Sequence, residues 1–312
     1  MIGPMIGPMI GTDDVSTILS SGIRLTVPLA FAACGEYLAE RAGAMNISVE
    51  AMMLGAAFGS IAVASATGSA TAGLVAGVLV GLLIGLVHGN LSHRLEIDTF
   101  VAGLVLNALV LGLTGYLITV SDFDSHQVSQ VSVPWLRDIP LIGPPLFVER
   151  WPAYLLVVVV PLTWWLVERS RWGLELRAVG ERPRAADVTG IRVNARRRQA
   201  LLWCGALAGL GGAYLAVGEV GSFNQNMTAG RGYIVVAAVI FGGWRLGRTL
   251  LGCAIFGLAD AMRLALPALG VELNAQLLIA APYLLALLAM LLLTNRSREP
   301  GALGRPFERG SP

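Results

Sequence analysis

The chain has 312 residues, of which 55% are hydrophobic and 13% charged, with a formal net charge of +2. At a mean hydropathy of +0.69 it is too apolar to be a water-soluble domain. All 22 basic residues are Arg; a phosphate-cradling G-x-x-x-x-G-K-[ST] loop needs a Lys, so the chain holds no standard nucleotide-hydrolysing site and any ATP must be bound by a partner.

Residues 1–14 begin with a Met-Ile-Gly-Pro repeat, without a basic stretch ahead of an apolar core, and are expected to be a flexible leader, not a cleavable signal. Apolar segments follow at 15–34, 45–66, 70–88, 99–120, 151–167, 199–217, 246–266 and 275–294, with a short one at 233–241. A helix of about 20 such residues crosses a hydrocarbon core of roughly 30 Å. The expected fold class is an all-α polytopic transmembrane bundle of about 8–10 segments filling 15–295, some of them broken or re-entrant.

Between the first two segments lies a polar island at 36–50. A carboxylate near the bilayer centre costs on the order of 3 kcal/mol, so it is seldom there without a partner or a task. Asn46 and Glu50 lie one turn apart on a face shared with Met53, and with Ser48 they are candidates for the solute path or for holding a kink. Glu40 and Arg41 are expected to be solvated in an interfacial turn. The third segment places Gly73, Gly77, Gly81, Gly85 and Gly89 at every fourth position, a bare face that requires a close neighbour, within one bundle in preference to a dimer seam. Asn107, the strongly polar side chain of the fourth segment, serves either an interhelical hydrogen bond or solute contact.

Residues 121–150 are rich in Ser, Pro and Asp and are expected outside. The loop 168–198 holds nine Arg and the tail 296–312 four, which places both in the cytoplasm. Counting back from 151 puts the N-terminus outside, unless 36–46 is a broken element that changes the parity. Within the loop, Pro183 suits the first turn of a short helix and Gly190 its end, with Ala185, Ala186 and Val188 small enough to enter a groove. Further on, the glycine-punctuated polar run 218–232, with Asn226, Thr228 and Arg231, precedes a segment too short to span alone; it is either a broken helix lining the transport path or an outer loop. The Trp residues, 135, 151, 164, 165, 172, 203 and 244, lie mostly near segment ends, as in an interfacial belt. Cys34, Cys204 and Cys253 fit small core positions. His88, His93 and His126 lack ligand spacing, and no catalytic or metal site is expected. Asp260 and Arg263 share a helix face and neutralise each other.

Glu40-Arg-Ala-Gly-Ala-Met-Asn46-Ile-Ser48-Val-Glu50-Ala-Met-Met, Val101-Ala-Gly-Leu-Val-Leu-Asn107, Gly180-Glu-Arg-Pro183-Arg-Ala185-Ala186-Asp-Val-Thr-Gly190-Ile191 and Gly205-Ala-Leu-Ala-Gly-Leu-Gly-Gly-Ala-Tyr-Leu together resemble the branched-chain amino acid/ribose-type ABC permeases. Asn226-Met-Thr-Ala-Gly-Arg231-Gly brings the resemblance nearest to the nucleoside (basic membrane protein-dependent) importer permeases. The chain departs from their pattern at Ser48 and Ala51, where relatives tend to have Gly. The resemblance implies an importer in the bacterial inner membrane with a second permease chain in a heterodimer, a cytoplasmic ATP-binding subunit and an extracytoplasmic solute-binding lipoprotein. It implies that Gly180, Pro183, Ala185, Ala186, Gly190 and Ile191 contact the ATPase, and it implies no cofactor, nucleic acid or enzymatic activity. A simple sugar is the alternative solute, and a secondary transporter with broken helices the alternative machine.

Overall fold

A computed structural model of the protein describes residues 12–132, 134–136, 139, 143–268 and 299–307, with positions 276, 280, 284 and 288. Apart from those four positions, the ninth expected segment, 275–294, lies outside the described residues, as does nearly all of the leader. In chain order the helices are α1 (Thr12–Arg41), α2 (Val49–Thr67), α3 (Ala70–His93), α4 (Thr99–Thr119), α5 (Gly143–Phe147), α6 (Leu156–Glu168), α7 (Arg171–Glu181), α8 (Pro183–Val188), α9 (Val193–Ala213), α10 (Arg231–Phe241) and α11 (Leu246–Ala268). A 3-10 turn at Trp151–Leu155 leads into α6, and a π-helical stretch at Tyr214–Val220 prolongs α9. The fold is an all-α polytopic bundle, in which seven described helical spans are long and apolar enough to cross a membrane.

Orientation follows from helix packing once the Arg-rich α7–α8 side is placed in the cytoplasm. α9 rises from that side. α3 runs antiparallel to it, with Gly77 against Ala213, Gly81 against Gly205 and Gly209, and Gly85 against Leu201. A Cβ at Gly85 would come 2.6 Å from the Leu201 carbonyl oxygen, so the two backbones touch where side chains would otherwise stand between them. Such contact is what holds helices together where lipid removes the hydrophobic drive between them. α1 is antiparallel to α9 as well, with Gly35 against Cys204 and Gly211 against Pro28. Its start therefore lies at the end of the bundle opposite the Arg-rich side.

Of the segment limits that differ from expectation, three have clear local reasons. α1 does not stop at 34 but continues through Glu36 and Glu40 to Arg41, because nothing interrupts it before Gly43 at φ +78°. There the amides of Gly43 and Ala44 fold back onto the carbonyls of Glu40 and Ala39 (2.9 and 3.0 Å), closing the helix end. α2 begins at Val49, so Asn46 and Ser48 belong to the preceding turn. α9 begins at Val193, which carries Arg197 out of the solvated loop into the interior, where it is fully buried. Most of the 168–198 loop is helical.

The outer segment is built on an antiparallel pair, β1 (Gln130–Ser132) with β2 (Val148–Arg150), in the register Val131 to Glu149. The bundle centre is formed by α1, α2 and α9, whose Leu29, Phe31, Met52, Met53, Ile61 and Leu201 are fully buried. α6 is the least buried span and turns Val157 and Val158 outward, as a lipid-facing helix does.

Candidate functional site

The polar run after α9 enters the bundle as irregular backbone. Gln127 lies against Gly221 at the outer end, Gln225 lies against Gly115 near the outer end of α4, and the run reaches the first turn of α2 before α10 starts. Asn226 (φ +55°), Ala229 (+47°) and Gly230 (+82°) all adopt left-handed conformations. Two of these are unfavourable for side-chain-bearing residues, and such strain concentrates where backbone is held for a purpose. The short α10 then continues inward to Trp244. The run with α10 is thus a broken span in place of a plain outer loop.

Glu50 closes this break. Its carboxylate accepts from Thr228 Oγ1 (2.6 Å) and from the backbone amides of Gly230 (2.8 Å) and Gly232 (2.7 Å). An acid on the exposed amides of a helix start satisfies groups that the helix cannot and meets the positive end of its dipole. Arg231 donates to the Met227 carbonyl (3.0 Å) and pairs with Asp260 (3.1 Å), which also takes Arg263 (2.8 Å). Asp260 therefore links α11 to the break, as well as pairing within its own helix.

Asn107 works on the other side of the same junction. Its Oδ1 accepts from the Ala51 amide (2.9 Å), and its Nδ2 donates to the Ile47 carbonyl and the Tyr233 hydroxyl, both at 2.9 Å. One carboxamide thus fastens α4 to the start of α2 and to α10. Asn46 and Ser48 sit a turn away and face inward. Asn46 Nδ2 donates to Glu36 (2.9 Å) and lies 3.2 Å from Cys204 Sγ, while its Oδ1 accepts from the Ser48 amide (3.1 Å). His88 bridges Ser48 Oγ (2.6 Å) and Thr99 Oγ1 (3.0 Å), and Thr99 donates to the Met45 carbonyl (2.9 Å).

Of the residues expected along the solute path, Glu50, Thr228, Arg231 and Asn107 converge on the start of α10. Asn46 and Ser48 are fully buried in the neighbouring network, and Asn226 alone is exposed. Glu40 corrects the expectation of a solvated turn: it is fully buried under Trp244, whose Nε1 donates to it at 2.5 Å. Because α1 stays helical there, Glu40 lies one turn below Glu36 on the inner face. Trp244 accordingly is a buried partner and does not join the belt. Arg41 pairs with Glu168 at 3.7 Å.

On the Arg-rich face α8 divides its residues. Ala186 is buried among Val179 and Val193, and Gly180 packs against the Arg41 backbone, so both serve the chain's own packing. Ala185, Gly190 and Val188 (89% exposed) point away from it. Reasoning from sequence missed Tyr233, His88 and Arg197. The one available signal was that His88 lies seven residues after Gly81, in phase with the bare face of α3. Among the described residues no three His, Cys, Asp or Glu side chains converge to hold a metal. The arrangement positions backbone and polar groups: the hydroxyls of Ser48 and Thr228 are engaged in buried hydrogen bonds to His88 and Glu50 that fasten one element to another.

A family model described as "Branched-chain amino acid transport system / permease component" matches residues 18–294. The nucleoside ABC transporter permease protein NupC of Lactococcus lactis is 33% identical over 307 residues, 94% of this chain and 96% of its own. The guanosine ABC transporter permease protein NupQ of Bacillus subtilis is 29% identical over 95% of this chain and 98% of its own. The putative glucose ABC transporter permease protein TsgC13 of Haloferax volcanii is 33% identical over 82% and 80% respectively.

Proposed function

This chain belongs to the family of branched-chain amino acid transport system permease components, and from that premise we propose that it carries nucleosides inward. It is the membrane-spanning permease of an ABC transporter of the nucleoside or sugar type, a multi-pass protein of the bacterial inner membrane. It is not an enzyme; ATP hydrolysis belongs to a partner subunit. The observation that favours a nucleoside over a sugar is the alignment with NupC and NupQ over 94% and 95% of the chain, against 82% for TsgC13.

In this reading the solute passes beside the break before α10. The exposed Asn226 amide and the Tyr233 ring, 44% exposed, are groups suited to sugar hydroxyls and a base. Glu50, Thr228, Arg231 and Asn107 hold the break in register, and Asn46 and Ser48 support it from the turn before α2. Residues 15–295 form the permease domain, in which 168–198 couples to the ATP-binding subunit through Pro183, Ala185, Gly190 and Ile191. A second, non-identical permease chain completes the pathway, and a solute-binding lipoprotein supplies it from outside.

The test is uptake by vesicles holding the complete importer. Radiolabelled guanosine should enter only with ATP and should be displaced by other nucleosides but not by glucose. Displacement by glucose alone would replace the nucleoside reading with the sugar one, and uptake driven by an ion gradient without ATP would point to a secondary transporter.

A further inference from the structure

The described part of the C-terminal tail, 299–307, is fastened to the cytoplasmic face. Arg197 donates to the backbone oxygens of Ala42 (3.3 Å), Ala302 (3.2 Å) and Arg305 (2.6 Å), tying the tail to the α1–α2 turn. Tail amides complete the attachment, Ala302 donating to the Gly180 carbonyl (2.9 Å) and Gly304 to the Gly43 carbonyl (3.1 Å). A planar guanidinium can serve several acceptors from one buried position, which a Lys ammonium does less well.

Held in this way, the tail forms one wall of a groove of about 590 Å³ whose other wall is the start of α8. Ala185 and Phe307 stand on the two sides, and the exposed Arg182 and Arg305 supply its charge. Glu181, the carboxylate of the lining, already faces the tail amide of Gly301 at 3.4 Å. The groove is therefore basic at its rim and partly apolar within.

We propose that this groove receives an acidic segment of the ATP-binding subunit, so that the tail and α8 form one docking surface. The inference rests on the reading of the chain as an ABC permease and extends the contact from α8 to a second element. Three observations favour that occupant. The groove is continuous with the exposed side of α8, which carries Ala185 and Val188. Its Arg residues match acidic side chains, and its apolar walls suit a protein segment better than a lipid headgroup. The tail also lies against Gly43 and Met45, beside Asn46, so a partner gripping it bears on the turn that starts α2.

The test uses the full chain co-expressed with its ATP-binding subunit. Arg305→Glu and Arg182→Glu should each lower the ATP-binding subunit retained per permease by about tenfold or more. Arg94→Glu, an exposed change at the α3–α4 turn, should retain it and so control for lost positive charge. A photo-cross-linker at position 305 should trap the ATP-binding subunit. Full retention in both reversals, or trapping of lipid alone, overturns the proposal. Where a reversal lowers the melting temperature of the permease, Arg305→Gln takes its place and should show a smaller loss in the same direction; no loss in that variant counts against the proposal. Val188→Arg separates the two possible failures. If it releases the subunit while the reversals do not, docking runs through α8 alone and the permease reading stands; if it too retains the subunit, both fall.

Discussion

Glu50 receives one hydroxyl and two amide donors, and all three are left without a charged acceptor when the carboxylate is removed. Glu50→Ala should destabilise the protein by about 1–3 kcal/mol, with Glu50→Gln milder because one oxygen remains. Thermal melting in detergent should show that order, and equal melting of both variants with wild type would mean the break is held by something else. Glu149, on β2, is the residue whose titration has a readable consequence. It is 3% exposed beside Arg24 at 3.4 Å. Burial pushes its carboxyl up to about 7 from 4.5, against the pull of Arg24 and with a push from Glu219. The folded protein thus holds this proton more tightly than the unfolded chain. Its stabilising effect is full below about 4.5 and is lost as pH rises through about 7. Melting should therefore be higher at the acid end of that window, and Glu149→Gln should flatten this part of the profile. A slope unchanged by Glu149→Gln would assign it to other groups.

Among the helices, α3 shows how spacing becomes packing. Gly81→Ala would drive a Cβ into the Gly205 carbonyl oxygen, whereas a Cβ at Gly112 on α4 would meet nothing within 4 Å. Gly81→Ala should cost about 1–3 kcal/mol, as overpacking does, while Gly112→Ala should leave melting and expression unchanged. If both are silent, the helices can separate and the seam is loose. α8 calls for a similar contrast. Ala186→Arg places a charge in the chain's own Val179 and Val193 cluster and should lower melting, whereas Val188→Arg should change only association with the ATP-binding subunit. The bare face and the two-turn α8 were legible in the sequence, because glycine and proline act locally, and the broken span was legible only as one of two readings beside an outer loop. Side-chain partners were not. Glu40 sits at the end of an apolar stretch, where charges are ordinarily solvated, and only the continuation of α1 brings it under Trp244. Tyr233 has no signal at all, since its hydroxyl partner Asn107 is 126 positions away in the chain.

For the molecule as a whole, hydropathy was enough to foresee a polytopic bundle, since it depends on sums over many residues. The fastening of the tail was hidden because it uses backbone oxygens, which every residue has, and a single Arg among a run of three. Arg197→Met should loosen it without touching the outer hairpin: hydrogen exchange at the Ala302 and Gly304 amides should accelerate while that at Glu149 stays unchanged. Unchanged exchange at the tail would mean that its own two amide bonds suffice. The glycine seam has a mechanical corollary. Two helices whose backbones touch cannot slide or roll without colliding, so α3 and α9 form a keel, and any swing between outward-open and inward-open shapes has to be taken up by elements hinged on it, the broken span foremost. Spin labels at Leu79→Cys and Trp203→Cys, both exposed, would report on the keel cleanly because the three native thiols are buried. Their separation should be the same with and without ATP in the assembled importer, while a label on α10 measured against either should shift.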